Sequence, residues 1–281
     1  MLKCMKIALW QFKSWKGSAR VIVVLLLAIV TTVYQSLVYI DYVDSLNESI
    51  NIFETYIMVM NNRWHMILLY ISGMILFADA PFMNNNSLYV VSRVGRYSWS
   101  LGMAIYIIMA SIVYSLVILL TTVICSATYS YGGDIWSRPM VSLLDGSAWI
   151  KGAPTMFTNY NFALLHTPME TAIIGIILFM LLMCMVGMML FALNIINGKV
   201  LGFAVASITY FVGFLISEDN IVKFFPFHNS ILDYHETASW ICDIPISWSM
   251  IYFGGLITIW LVVALFMIRK VDYRITVGER V

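Results

Sequence analysis

Five stretches of this chain run for 18 to 24 residues without a charged side chain: Val21–Ile40, Leu101–Ile124, Ala172–Leu193, Val200–Ser217 and Ile246–Ile268. A helix rises ~1.5 Å per residue, so about 20 apolar residues match a hydrocarbon layer ~30 Å thick. In lipid every backbone N–H and C=O must pair within the protein, and a continuous apolar run meets that demand as a helix. A sixth stretch, Trp64–Phe82, has only 15 residues before Asp79 and gains length by running through that acid and Pro81. Its alternative is a re-entrant or buried segment. With 61% hydrophobic and 11% charged residues, the chain carries more apolar surface than a soluble globule can hide. The sequence therefore predicts an all-α polytopic membrane protein. Residues 1–281 form a single transmembrane domain, with six transmembrane helices at about 21–40, 64–82, 101–124, 171–193, 200–217 and 246–268.

Six crossings place both termini on one side, and charge says which. Segments 1–20, 79–100, 194–199 and 269–281 hold 12 of the 16 Lys and Arg residues with three acids, leaving four basic residues and 12 acids for the other side. Basic loops stay cytoplasmic, so both termini are expected inside. The acidic outer loops would attract cationic molecules, or simply enforce topology. Val21–Val30 follows a basic leader as a secretion signal does, but no small-residue cleavage site comes after it, which reads as a retained first span. Cys4, Cys125, Cys184 and Cys242 are single and scattered; they read as buried thiols, with one bridge between Cys125 and Cys242 left open.

Two short segments carry amphipathic patterns. In the leader, Met5, Ala8, Phe12 and Trp15 recur at three- and four-residue spacing, with Lys6 and Lys13 off that face. This predicts an N-terminal amphipathic helix over 1–20 in the inner interface, where Lys6, Phe12, Lys13 and Trp15 contact lipid head groups or a cytoplasmic partner. The alternative is an ordinary positive anchor for the first span. In the second inner segment, Asn84, Asn85, Asn86 and Ser87 offer helix-capping chemistry. Leu88, Val91 and Val94 then share one face and Arg93 and Arg96 another, with Trp99 marking re-entry at the interface.

This arrangement resembles the membrane subunit of a bacterial type-2 ABC transporter, the ABC-2 permease family. The resemblance rests on six spans, an amphipathic leader, and Arg93-x-Gly95-Arg96-Tyr97-x-Trp99 between spans two and three. It implies a cytoplasmic coupling helix between those spans, seated in a groove of a separate ATP-hydrolysing subunit. It assigns that role to Ser87, Leu88, Val91, Arg93, Arg96, Tyr97 and Trp99, and a smaller contact to the turn with Asn197 and Lys199. It further implies two ATP-binding subunits, a second permease protomer (identical or homologous), ATP and Mg on the partner only, and a bacterial cytoplasmic membrane. The long outer loop Ser126–Glu170 departs from the family, whose larger outer elaboration is the last loop.

Other chemistry is sparse. No G-x-x-x-x-G-K-[ST] occurs, so any ATPase must be a separate chain. His235-Glu236 lacks the second histidine of H-E-x-x-H, and His228, Asp233, His65 and His166 form no readable ligand set. No catalytic site, bound cofactor, metal or nucleic-acid partner is expected. Span four carries Met180, Met183, Met185, Met188 and Met189, which suit either bundle packing or a surface that repacks around apolar cargo. The expected function is an ATP-driven exporter of a peptide, lipid or other amphipathic molecule. The alternatives are a non-transporting immunity or sensory membrane protein, and an ion-coupled secondary transporter.

Overall fold

The computed structural model describes residues 2–82, 87–145, 157–197, 199–216, 221–237 and 243–268, and the statements below concern these. Helix α1, Leu2–Lys13, leads through a 3₁₀ turn into α2, Ala19–Leu46. The chain enters α2 at Ser18, whose hydroxyl accepts from the Val21 amide, and leaves it at Asn47, which takes the left-handed φ of 50° common at helix ends. A two-residue strand β1, Ile50–Asn51, and helix α3, Glu54–Asn61, follow. All eight residues of α3 are buried, so this apolar run packs inside the bundle and not on a membrane surface.

Helix α4, Arg63–Phe77, starts where Asn62 Oδ1 accepts from the Trp64 and His65 amides. It runs antiparallel to α2, because the Arg20 guanidinium at the start of α2 pairs with Asp79 just beyond the end of α4. Helix α5, Ser87–Val94, meets α6, Arg96–Ser126, through Gly95, whose φ of 89° suits glycine. Strand β2, Ser130–Tyr131, then pairs parallel with β1, Ile50 opposite Ser130 and Asn51 opposite Tyr131. Since β1 follows α2 and β2 follows α6, these two helices run the same way.

Short helices α7, Arg138–Leu144, and α8, Tyr160–Leu165, cover that end of the bundle. Helix α9, Pro168–Asn197, opens with a reciprocal cap: the Thr167 amide donates to Glu170 Oε2 and the Glu170 amide to Thr167 Oγ1. Glu170 is thus a first-turn capping acid. Helices α10, Lys199–Leu215, α11, Pro226–Ser230, and α12, Ile246–Met267, complete the chain.

Helix α9 is the centre of the bundle, packed by α4, α6, α10 and α12. Close approach is possible because Gly187 lacks a side chain: a Cβ there would lie 2.5 Å from Ile107 Cγ2 and 3.3 Å from Phe77. Met183, Met185, Met188 and Met189 are buried around it. Their flexible thioethers fill the core of this one chain, while Met180 is half-buried. The outer helices turn apolar stripes outward, such as Ile22, Leu26 and Val30 on α2 and Ile108, Ile112, Leu116, Leu120 and Ile124 on α6. Repeats of four place each stripe on one face, as lipid contact requires.

Four helices among the described residues are long and apolar enough to cross a membrane: α2, α6, α9 and α12. This corrects the expected six transmembrane helices while leaving the architecture of a multi-pass membrane protein. Helix α4 has 15 residues and α10 has 17, or about 22 and 26 Å of rise, short of a ~30 Å layer. The turn at Ala78–Phe82 stops α4 before Asp79 can be included, and α10 ends at Leu215. Helices α2, α6 and α9 also exceed the apolar runs; α2 carries on through Asp41 and Asp44.

Candidate functional site

At the end of the bundle where α2 begins, α1, α5 and the first turns of α6 gather around the basic residues. Lys3, Lys6, Lys13, Lys16, Arg20, Arg93 and Arg96 lie here, with Asp79 as their acid among the described residues. Helix α1 seats on α6 at Gly102, where a Cβ would stand 2.7 Å from Ile7 Cβ and 3.0 Å from the Cys4 carbonyl. The Trp15 indole N–H donates to the Tyr106 hydroxyl at 2.7 Å, and Phe12 stacks on Trp15 with centroids 4.6 Å apart. Ile7, Ala8 and Gln11 are buried, while Met5 and Leu9 are exposed. Of the predicted Met5–Ala8–Phe12–Trp15 stripe, Ala8, Phe12 and Trp15 face the bundle and Met5 does not; Ile7 and Gln11 widen the buried face because α1 packs on another helix. Lys6 and Lys13 are exposed.

Helix α5 buries Val91 against the bundle and exposes Tyr89, Ser92 and Arg93. Arg96, also exposed, donates from Nη1 to the Ile268 carbonyl at 3.5 Å, which sets a cation at the C-terminal, negative end of α12. Tyr97 is exposed and, with Val262, Leu265 and Phe266, lines a shallow apolar recess. Trp99 is buried, its ring 6.2 Å from Phe191 of α9, so it anchors α6 in the core. Ser87 and Leu88 open α5, and Asn197 and Lys199 flank the α9–α10 turn; the side chains of all four lie outside the described residues. That turn is at the same end, because Asn194 Nδ2 donates to the Ala78 and Ala80 carbonyls. Asn84–Asn86 and 269–281 also lie outside the described residues, as does Cys242; Cys125 is a free thiol.

The opposite end is built from buried polar groups that sequence reasoning missed. Glu54 has no exposed surface. It accepts from the Ser137 amide at 2.7 Å, the Ser137 hydroxyl at 2.6 Å, the Asn51 amide at 3.1 Å and the Tyr39 hydroxyl at 3.3 Å. Burial pushes its carboxyl up to about 7, against the pull of these four donors. Asn51 Nδ2 donates to the Gly133 carbonyl at 2.7 Å. Asp233 accepts from the Thr158 and Asn159 amides and the Thr158 hydroxyl, and burial raises its pKa against those bonds. His235 bridges the Ile231 carbonyl at 2.9 Å and Ser249 Oγ at 2.8 Å, and Ser249 donates to Asn229 Oδ1. His166 lies 2.9 Å from Glu236. The histidines and acids of this region thus go to separate partners, and no group of three metal-ligating side chains forms among the described residues. One signal did point here: Glu54 is the lone charge in the apolar run Ile50–Met60, and a buried acid must be hydrogen-bonded.

No protein-family model matches this chain, and no curated protein or solved structure matches it either.

Proposed function

We propose that this chain is the membrane subunit of an ATP-driven exporter, working with a separate ATP-binding subunit and a second permease protomer at a bacterial cytoplasmic membrane. The observation that carries the reading is α5: an eight-residue amphipathic helix at the basic end, with Arg93 turned outward, joined to α6 by Gly95 alone. A soluble partner holding α5 can move it without unwinding α6. The movement passes to the first turn of α6, which Trp99 ties to α9 and Arg96 ties to α12. A small displacement at the docking face would thereby shift the central helix and the last one together. The chain itself would supply the path for a peptide, lipid or other amphipathic cargo and perform no covalent chemistry.

The double substitution Arg93→Lys/Arg96→Lys tests this. It keeps both charges and removes the planar fork that binds carboxylates in pairs. Normal membrane insertion with reduced copurification of an ATPase and at least about fivefold lower transport-linked ATP hydrolysis is expected, a loss of ~1 kcal/mol at the contact. Unchanged retention and hydrolysis would remove the arginines from coupling. In the same preparation, single cysteines at Ser92 and Asn47 should be shielded from and open to an impermeant thiol reagent, respectively, in intact cells.

A further inference from the structure

Between α1 and α5 runs a groove of ≈ 210 Å³ lined by Lys3, Lys6, Ile7, Trp10, Val90 and Val94. Its two walls differ. Lys3, Lys6, Ile7 and Trp10 are spaced i, i+3, i+4, i+7, so one stripe of α1 supplies two ammonium groups, an aliphatic patch and an indole. Val90 and Val94, one turn apart on α5, supply an apolar wall without charge. Both lysines are exposed, and among the described residues neither is in an ion pair; the acid at this end, Asp79, is already held by Arg20. Met5 and Leu9, on another side of the same helix, are also exposed, so α1 shows apolar surface outside the groove as well.

We propose that this groove is a binding site for one anionic phospholipid of the leaflet at the basic end. The phosphate sits between the Lys3 and Lys6 ammonium groups, and the upper part of one acyl chain lies on Ile7, Trp10, Val90 and Val94. A lysine–tryptophan stripe over aliphatic side chains matches the order of a lipid from head group to chain. Exposed Met5 and Leu9 elsewhere on α1 favour a membrane neighbour for this helix over an acidic soluble peptide in the groove, which would leave them in water. A lipid seated here fills the space between α1 and α5 and fixes the angle at which α5 leaves Gly95. This site does not depend on the exporter reading, since it uses no ATPase and no transport.

The test uses the full-length protein in nanodiscs of phosphatidylcholine doped with phosphatidylglycerol, with lipid retained after detergent extraction counted by native mass spectrometry. Wild type should keep one phosphatidylglycerol with about tenfold preference over phosphatidylcholine, in line with the attraction of two lysines near an anionic surface. Lys3→Gln/Lys6→Gln should abolish the preference, and Val90→Trp, which fills the groove without altering charge, should lower occupancy at least about threefold at unchanged melting temperature. Lys13→Gln/Lys16→Gln removes the same charge outside the groove and should keep the bound lipid. Equal retention of both lipids by wild type, or equal loss in both lysine pairs, would overturn the proposal. Retention displaced by an acidic peptide but not by competing anionic lipid would overturn it in favour of a protein occupant. Loss of ATPase copurification in Arg93→Lys/Arg96→Lys with lipid retained would leave this site standing, so the two readings fail separately.

Discussion

At the acidic end, Glu54, Asn51, Asn159 and Asp233 draw the segments after α2 and α6, before α8 and after α11 together through buried and part-buried hydrogen bonds. At the basic end, α1 and α5 rest on α6 mainly through aliphatic and aromatic contact, with Trp15 to Tyr106 as a polar tie. The difference is mechanical. A buried donor or acceptor is costly to leave unpaired, so a hydrogen-bonded web holds one geometry. Apolar contact has no preferred direction and tolerates sliding. The acidic end is built as a fixed cap, and the basic end as a surface whose short helices can be repositioned by what binds them.

The comparison breaks first at Glu54. Glu54→Ala strands the Ser137 and Asn51 amides and the Tyr39 hydroxyl at once, an expected loss of about 3–5 kcal/mol, as for removal of one partner from a buried charged network. Glu54→Gln keeps the shape and one acceptor oxygen and should lose about 1–3 kcal/mol. Thermal unfolding in detergent measures both. A loss under about 1 kcal/mol for Glu54→Ala would mean that the acidic end is not held by this web.

Much of this division was legible in the sequence, and the rest was not, for reasons that can be named. The uncharged runs around α2, α6, α9 and α12 announced spanning helices, because period and length survive without neighbours. The shortness of α4 was visible in Asp79, but α10 was not distinguished from a span: 18 uncharged residues sit at the margin, and only the local fold decides where the helix stops. The separate faces of Leu88, Val91 and Val94 and of Arg93 and Arg96 were readable from their spacing, whereas a coupling role came only from the resemblance. Burial of Trp99 was not readable, since an interface tryptophan and a core tryptophan look alike in a sequence. The acidic web pairs residues 83 apart, as Glu54 with Ser137, and such pairing has no local signature.

The second way to sharpen the comparison lies at Gly102. Gly102→Val would push Ile7 and the Cys4 carbonyl outward, at a cost of about 1–3 kcal/mol if α1 stayed seated. If the basic end is adjustable, α1 lifts away and the melting temperature falls by less, while trypsin cleavage at Lys13 and Lys16 speeds up at least about threefold, as local opening exposes the backbone. A melting loss as large as that of Glu54→Ala would show that α1 is as firmly built in as the acidic cap.

The smallest effect is in pH. His228 has no exposed surface and lies beside Phe227 and Tyr234; burial, with the Arg63 guanidinium adding to it, lowers its pKa to about 4. A folded value below the ordinary 6.5 means that the folded state binds fewer protons, so its stability is present above 6.5 and lost as pH falls toward 4. His235, lowered to about 4 by burial, acts with the same sign. Glu54 acts oppositely: raised from 4.5 to about 7, it favours the fold most below 4.5 and loses that contribution as pH rises through 7. Melting temperature should therefore fall on both sides of the mildly acidic range. His228→Leu, which fills the site without a titrating group, should flatten the acid side by a few degrees, and Glu54→Gln the alkaline side. Proteolysis of α1 at Lys13 should be indifferent to pH over the same range, because the pH-sensitive groups just named belong to the other end. If the α1 cleavage rate follows the same pH curve as the melting temperature, the two ends are coupled, and the fixed cap is itself part of whatever the basic end transmits.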